Sequence, residues 1–183
     1  MDCLIRKVQQ GDEFDLAYIQ TESWKAAFKD ILSAEILQMS TNLNRATAMY
    51  KRLLDENIGN GYILEVDSHP HCIAWWDTAR DNDMPDYAEL ICIHSLQDNW
   101  RKGFGTQMMS RVMGDMRAAG YDKVMLWVFA NNIRARKFYE SFGFSHMEKL
   151  NLVLKQKKFA TRENYNEYCF NRYNHESEGG LTK

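Results

Sequence analysis

The chain has 183 residues, of which 45% are hydrophobic and only two are proline, so it can bury one sizeable core and has little linker-like sequence. A formal net charge of −2 at pH 7 gives no electrostatic basis for binding nucleic acid or an anionic membrane. No apolar run approaches the roughly 18 residues of a membrane span, and the first residues do not resemble a signal peptide. The four cysteines lack Cys-x-x-Cys spacing, which indicates free thiols in a reducing cytoplasm.

The N-terminal third predicts one strand followed by three helices. The strand covers residues 4–8, and Asp12 caps a helix that ends near Phe28. Ser33 is expected to cap a second helix, and residues 44–55 form the third.

The middle of the chain predicts a hairpin and then a longer strand. Strands at residues 62–66 and 72–76 are joined by Asp-Ser-His-Pro at residues 67–70, a composition typical of turns. A polar loop at residues 81–86 precedes the strand at residues 88–95.

A basic, glycine-containing turn connects that strand to an apolar helix. Residues 97–106 read Gln-Asp-Asn-Trp-Arg-Lys-Gly-Phe-Gly-Thr, and methionines and a valine recur at helical spacing behind them. Gly103 and Gly105 let the backbone approach a ligand, and the helix start supplies unpaired N–H groups and a positive dipole end. The turn therefore predicts a phosphate site. Its members are Arg101, Lys102, Gly103, Phe104, Gly105 and Thr106.

Two common phosphate motifs are excluded. The dinucleotide fingerprint needs a third glycine where this chain has Met108, and Gly-Lys-Ser/Thr does not occur in the chain. The side chains of Arg101 and Lys102 either contact the ligand or form a solvated loop.

The second informative segment follows an apolar strand at residues 124–128. Residues 132–144 read Asn-Ile-Arg-Ala-Arg-Lys-Phe-Tyr-Glu-Ser-Phe-Gly-Phe. Ile133, Phe138 and Phe142 can share one helix face, and Gly143 suits the position after the helix end. Two further strands are expected at residues 144–154 and 165–173.

Together the two segments resemble the GCN5-related N-acetyltransferase (GNAT) superfamily. The first is similar to its Gln/Arg-x-x-Gly-x-Gly/Ala loop, which binds the pyrophosphate of acetyl-coenzyme A, except that Trp100 stands in the Gln/Arg position. The second matches the superfamily's Asn-x-x-Ala-x-x-Phe-Tyr-x-x-x-Gly-Phe signature at every named position. The resemblance covers about residues 4–173 and is specific between Glu89 and Phe144.

The resemblance implies an α/β (α+β) fold in which a mixed, mostly antiparallel sheet of six or seven strands has helices on both faces. One domain would cover residues 1–175, with a mobile tail at 176–183. A cleft would open between the strands at residues 88–95 and 124–128.

It also implies an acetyl-CoA-dependent N-acetyltransferase without a metal, in which a primary amine attacks the thioester directly. A small-molecule acceptor is favoured. Acetylation of a protein lysine or N-terminus, transfer to a hydroxyl, and a non-catalytic coenzyme-A-binding module remain open alternatives. A homodimer is possible in this superfamily.

Two catalytic roles are carried over by position. Tyr139 would donate a proton to the coenzyme A sulfur, a nearly balanced transfer because a phenol has a pKa of about 10 and a thiol one of about 8.5. Glu89, fourteen residues before Gly103, matches the general base of the histone acetyltransferase branch. That role requires apolar surroundings or a water relay, and the alternative is a structural carboxylate at the strand end.

Further residues are expected to hold the donor and the acceptor. Asn132 would bond the pantetheine arm or stabilise the turn, and Ala135 belongs to the same signature. Backbone N–H groups near Ile93 and Ser95 would polarise the thioester carbonyl. Large aromatic residues are expected around the acceptor pocket, with at least two of them in the core instead. They are Trp24, Phe28, Trp75 and Trp76.

Overall fold

The structure is a computed structural model that describes residues 3–147 and the strand at residues 167–173. The strands are β1 (Cys3–Lys7), β2 (Asn60–Val66), β3 (His69–Thr78), β4 (Tyr87–Ser95), β5 (Lys123–Phe129), β6 (Ser145–Met147) and β7 (Glu167–Tyr173). The helices are α1 (Glu13–Phe28), α2 (Ala34–Ser40), α3 (Leu43–Asp55), α4 (Phe104–Ala118) and α5 (Ile133–Ser141). Most of the strand predicted at residues 144–154 and the tail at residues 176–183 lie outside the described residues.

The strands form a seven-stranded sheet in the order β1-β2-β3-β4-β5-β7-β6. Neighbouring strands are antiparallel except for β4 and β5, which run parallel. The chain passes through α4 between these two strands, as a parallel connection requires. The predicted mixed, mostly antiparallel sheet is confirmed.

Helices cover both faces of the sheet. On one face α1 and α3 pack over Ile63, Ile73 and Trp75. On the other face α4 lies over a larger cluster that includes Tyr62 and Leu64. The predicted apolar stripe of α4 faces this cluster. Its fully buried members are Met108, Met109, Val112 and Met116. The alternation of strand residues between two covered faces explains why β2 and β3 are apolar almost throughout.

The helix caps differ from the sequence expectation at one position. Ser33 Oγ accepts from the Ile36 N–H, as predicted. Asp12 precedes α1 but its side chain caps no helix N–H. Its carboxylate instead forms an ion pair with Arg6 of β1 at 2.7 Å and accepts from the Gln9 backbone N–H at 2.8 Å.

The hairpin between β2 and β3 is tighter than expected. Its turn consists of Asp67 and Ser68, with φ of 49° and 65°, whereas His69 and Pro70 already belong to β3. Two successive left-handed residues give a turn of the primed type, whose twist matches the flanking strands.

Helix α5 corrects another expectation. Ile133 is 51% exposed and does not share the buried face. Phe142 lies just beyond the helix end, where its ring contacts Phe138 with centroids 5.2 Å apart. Gly143 follows with φ of 81°, the left-handed conformation predicted there.

Among the described residues, no helix has the length and apolarity to cross a bilayer.

Candidate active site

The site exists because β4 and β5 diverge in the middle of the sheet. They pair only through residues 87–90 and 123–126. Beyond these residues β4 continues to pair with β3 as far as Ser95, and β5 with β7 as far as Phe129. The ends of the two strands therefore leave a gap between them, which confirms the predicted position of the cleft.

A β-bulge at Ile91 marks the point of divergence. Trp75 of β3 lies opposite Cys92, and the next residue, Trp76, lies opposite Leu90, so Ile91 is the extra residue. A bulge bends its strand and strengthens the local twist. We attribute the separation of β4 from β5 to this bend, since the pairing with β5 ends at Leu90.

The resulting cleft has a volume of about 1290 Å³. Its walls come from the separated ends of β4 and β5, the loop before α4, the first turns of α4 and α5, and parts of α1 and α3. Of the residues predicted from the sequence, all line it except Lys102, Glu89 and Trp76. Their binding and catalytic roles stay predictions.

One end of the cleft lies at the N-terminus of α4. The first hydrogen bond of α4 runs from the Gln107 N–H to the Gly103 carbonyl at 3.0 Å, so the three preceding N–H groups lie before the helical ladder. They belong to Phe104, Gly105 and Thr106. Gly103 has φ of 86° and Arg101 has φ of 64°, and such left-handed turns curl the backbone into anion-binding concavities.

Side chains at this end depart from the prediction in one respect. Arg101 lines the cleft, but Lys102 does not, and its ammonium contacts Asn99 Oδ1 instead. A Cβ on Gly103 would meet nothing within 4 Å, and one on Gly105 would lie 3.7 Å from the Phe138 ring. The loop backbone is therefore open to a ligand.

Tyr139 of α5 also lines the cleft. It is 8% exposed, and its ring contacts Phe138 and Phe144 at centroid distances of 5.5 and 6.1 Å. Burial raises the pKa of the Tyr139 phenol above its ordinary 10. The expectation of a nearly balanced proton transfer is therefore corrected: the phenol stays protonated at physiological pH and gives up its proton less readily than assumed.

Asn132 and Ala135 link β5 to α5. Asn132 Oδ1 accepts from the Ala135 N–H at 3.1 Å, so this side chain caps the helix and fixes the turn. Of the two roles left open for Asn132, capping is the one that the contacts show.

Glu89 has surroundings different from those expected. Its carboxylate is 1% exposed, yet it is not in an apolar setting. Arg80 Nε donates to Oε2 at 2.9 Å, Arg80 Nη2 donates to Oε1, and the Arg80 backbone N–H adds a bond to Oε2 at 3.0 Å. To accept a proton, Glu89 would have to give up part of this contact. Sequence reasoning missed Arg80, because a loop arginine carries no spacing signal.

Aromatic residues of α1 and β5 line another part of the cleft, its aromatic end. Trp24 and Phe28 of α1 form an edge-to-face pair with centroids 5.0 Å apart, and Phe28 contacts Phe129 of β5 at 5.1 Å. The Trp24 indole N–H donates to Nε2 of His94 at 3.4 Å, which assigns the proton of the neutral imidazole to Nδ1. Burial lowers the pKa of His94 to about 4, so the ring is neutral at pH 7.

The floor of this aromatic end comes from the sheet and α3. Trp75 is 4% exposed, and its indole N–H donates to the Ile58 carbonyl at 3.2 Å. Burial raises the pKa of the Cys92 thiol, which bonds the Tyr50 hydroxyl, to about 12, so this thiol is protonated at pH 7. Trp76 lies in the core on the other face of the sheet and does not line the cleft.

Fold and cleft together define an α/β protein with a cleft of about 1290 Å³ near the centre of its sheet. The sequence profile of the acetyltransferase (GNAT) family matches residues 24–144, and the chain belongs to this family. A comparison with curated proteins finds no match.

Solved structures of acetyltransferases share the fold. The PaiA N-acetyltransferase of Thermoplasma acidophilum, in complex with coenzyme A, is 17% identical, with a TM-score of 0.76 over 94% of this chain and 99% of that one. The ribosomal-protein-alanine N-acetyltransferase of Brucella melitensis is 15% identical, with a TM-score of 0.69 over 93% and 99%. YncA of Salmonella typhimurium, with acetyl-CoA, is 13% identical, with a TM-score of 0.66 over the full length of both chains.

Proposed function

We propose that this protein transfers an acetyl group from acetyl-CoA to a primary amine of a small molecule by direct attack. The observation that carries the proposal is the gap between β4 and β5, where one cleft is lined by the N-terminus of α4, a group of aromatic residues and Tyr139. Acetyl-coenzyme A, which carries both a pyrophosphate and a thioester, suits these surroundings.

The residues present suit the donor. Three N–H groups before the α4 ladder, and the space over Gly103, suit the pyrophosphate. The part of β4 beyond Leu90 no longer pairs with β5, so backbone N–H groups near Ile93 can bond the thioester carbonyl. Two solved relatives were crystallised with coenzyme A or acetyl-CoA, which supports the same donor here.

Tyr139 acts on the leaving group. In the reaction the neutral amine nitrogen bonds the thioester carbon, the carbon–sulfur bond breaks with its electron pair going to the sulfur, and the proton that the nitrogen releases passes to water or to the thiolate. A phenol whose pKa is raised by burial stays protonated, and it stabilises this sulfur chiefly by donating a hydrogen bond. The Cys92 thiol, whose pKa is raised to about 12, is unsuited to forming an acyl-enzyme, which favours direct attack.

The aromatic end of the cleft indicates the acceptor. Trp24, Phe28 and Phe129 offer ring faces and edges to an apolar or aromatic group, and neutral His94 adds no charge. Asp77 is the one carboxylate among the described residues that line the cleft, so a polyamine with several ammonium groups would find little compensation. We therefore propose a small amine that carries an aromatic or apolar group.

The test combines donor binding with product analysis. Acetyl-CoA at 100 times its dissociation constant should stabilise the protein by about 2.7 kcal/mol, whereas ATP and NAD should not. Incubation with acetyl-CoA and either a panel of arylalkylamines or a protein digest, followed by mass spectrometry, separates small-molecule from protein acceptors. Donor binding without any acetylated product would favour a non-catalytic module, and the absence of donor binding would refute the proposal.

A further inference from the structure

Trp100 fills the loop position at which the matched pyrophosphate motif has a glutamine or arginine. Its indole N–H donates to the Ser95 carbonyl at 3.0 Å, which fixes the ring at the exit of β4. The ring lines the anion-binding end of the cleft but carries no charge of its own.

The face of this ring is occupied by Arg134. The guanidinium carbon lies 3.2 Å from the centroid of the Trp100 ring, and Arg134 is the second residue of α5. The stack therefore joins the loop before α4 to the first turn of α5. An indole attracts a cation through its face, and a stacked guanidinium keeps its in-plane N–H donors available to another group.

The groups around the stack are positively charged and favour binding of an anion. Burial and the nearby charge of Arg101 both lower the pKa of Arg134 from 12.5. Within the part of the chain that the structure describes, neither guanidinium forms an ion pair with a carboxylate. Both line the cleft beside the N-terminus of α4. Two guanidinium groups and a helix N-terminus thus share one end of the cleft.

We propose that Arg134, positioned by Trp100, binds a phosphate group of the coenzyme. The stack places the guanidinium of Arg134, a planar cation that can form two parallel hydrogen bonds, beside the loop position where Trp100 itself carries no charge. The proposal rests on the proposed function and adds a phosphate ligand outside the glycine loop. The pyrophosphate and the 3′-phosphate of coenzyme A share the required chemistry.

Calorimetric titration with three ligands tests the proposal. Coenzyme A carries both phosphate groups, dephospho-coenzyme A lacks the 3′-phosphate, and pantetheine lacks both. We expect Arg134→Gln to weaken coenzyme A about 10- to 100-fold, the usual effect of losing a charge-assisted hydrogen bond, and to leave pantetheine within about twofold. If Arg134→Gln loses as much affinity for dephospho-coenzyme A as for coenzyme A, Arg134 binds the pyrophosphate. If its affinity for dephospho-coenzyme A equals that of the wild type, Arg134 binds the 3′-phosphate.

Two controls separate binding from long-range charge and from folding. Arg117→Gln removes the same charge from the last turn of α4, about 20 Å along the helix from Gly103, and should not change the affinity. Trp100→Leu should weaken coenzyme A in the wild-type background but not in the Arg134→Gln background, whereas Trp100→Phe should restore most of the affinity. A thermal scan establishes that each variant is folded.

The proposal is overturned if Arg134→Gln changes the affinity for coenzyme A less than threefold, or changes pantetheine binding as much. It is also overturned if Arg117→Gln has an equal effect. Wild-type protein that fails to bind coenzyme A would refute the proposed function itself. Wild-type binding with an unaffected Arg134→Gln variant would refute this inference alone.

Discussion

The guanidinium of Arg80 holds both carboxylate oxygens of Glu89, although the two side chains differ in exposure. Glu89 is 1% exposed, whereas the side chain of Arg80 is 54% exposed and lines the cleft. The backbone N–H of Arg80 bonds the same carboxylate at 3.0 Å. This contact fixes the loop after β3 to the part of β4 that still pairs with β5.

We expect Glu89→Gln to lower the free energy of unfolding by about 1–3 kcal/mol, because charged hydrogen bonds to a buried group are lost. Arg80→Leu removes the same pair and should cost a similar amount in a urea titration. Because Arg80 already engages the Glu89 carboxylate, the kcat of Glu89→Gln at pH 7 should be less than about tenfold below that of the wild type. A loss of 100-fold or more that recovers at alkaline pH would assign Glu89 the base role.

Tyr139→Phe should lower kcat about 100-fold, the lower range for loss of an acid catalyst, and leave the KM for acetyl-CoA within about twofold. The ring contacts with Phe138 and Phe144 persist, so the melting temperature should not change. Tyr121→Phe removes a hydroxyl that contacts Thr78 outside the cleft and serves as the control. Wild-type rates in Tyr139→Phe across the pH range would disprove the assignment.

Protonation of Tyr139 also affects the alkaline limb of the pH profile. Because burial raises the pKa of this phenol, the wild-type enzyme should show no loss of kcat from its ionisation as the pH rises to about 10. Ionisation at or below its ordinary value, seen as a tyrosinate absorbance change absent from Tyr139→Phe, would contradict this prediction.

His94 should make the stability of the protein depend on pH. Its pKa is about 4 in the folded protein and 6.5 in the unfolded reference. Between these values the unfolded chain binds more protons, so stability is lost as the pH falls, by at most about 1.4 kcal/mol per unit. His94→Gln can still accept the Trp24 N–H and should give a flatter slope between pH 6.5 and 4.5. Parallel urea-unfolding curves in the two proteins would refute the prediction.

Phe28 tests the acceptor pocket. Phe28→Leu reduces the contact with Trp24 and Phe129 and should lower kcat/KM for an arylalkylamine about tenfold, equivalent to ~1.4 kcal/mol. Methylamine should be affected much less, and so should the KM for acetyl-CoA. Phe14→Leu, on the same helix but 54% exposed and outside the cleft, is the matched control. Equal losses for both amines would rule out an aromatic acceptor subsite here.

Gly61 of β2 packs against Trp75, which lines the cleft. A Cβ at this position would lie 2.3 Å from Cζ3 of Trp75 and 2.6 Å from Cγ2 of Val8. Gly61→Ala should therefore displace the indole and destabilise the protein by about 1–3 kcal/mol. Gly114→Ala, where a Cβ meets nothing within 4 Å, should instead stabilise α4 by about 0.4–1 kcal/mol. Thermal unfolding should show a lower melting temperature for Gly61→Ala and a higher one for Gly114→Ala. Melting temperatures that shift in the same direction would contradict the packing argument.

The elements were predictable from the sequence because local rules determine them. Apolar spacing predicted α4 with its buried methionines, and the turn residues predicted the hairpin to within two positions. The signature around Asn132 and Tyr139 identified the family that the profile confirms. These signals depend on neighbours in the chain or on motif positions.

Features that depend on distant residues were missed. The ion pair of Asp12 with Arg6 and that of Glu89 with Arg80 join residues whose spacing follows no motif. The stack of Arg134 on Trp100 requires α5 and the loop before α4 to meet in space. Ile133 was placed on a buried face because helical periodicity does not tell which side of a short terminal turn the sheet will cover.

The four residue pairs between β4 and β5 are the ladder that joins a four-stranded half-sheet, β1 to β4, to a three-stranded one, β5 to β7. Such a junction can act as a hinge, and a molecule lodged in the gap would tie the two halves together. Amides of residues 91–95 that do not pair with β3 should then exchange with deuterium rapidly in the free protein and slowly once the gap is filled. Ligand binding in the gap between β4 and β5 would thus also make the sheet more rigid.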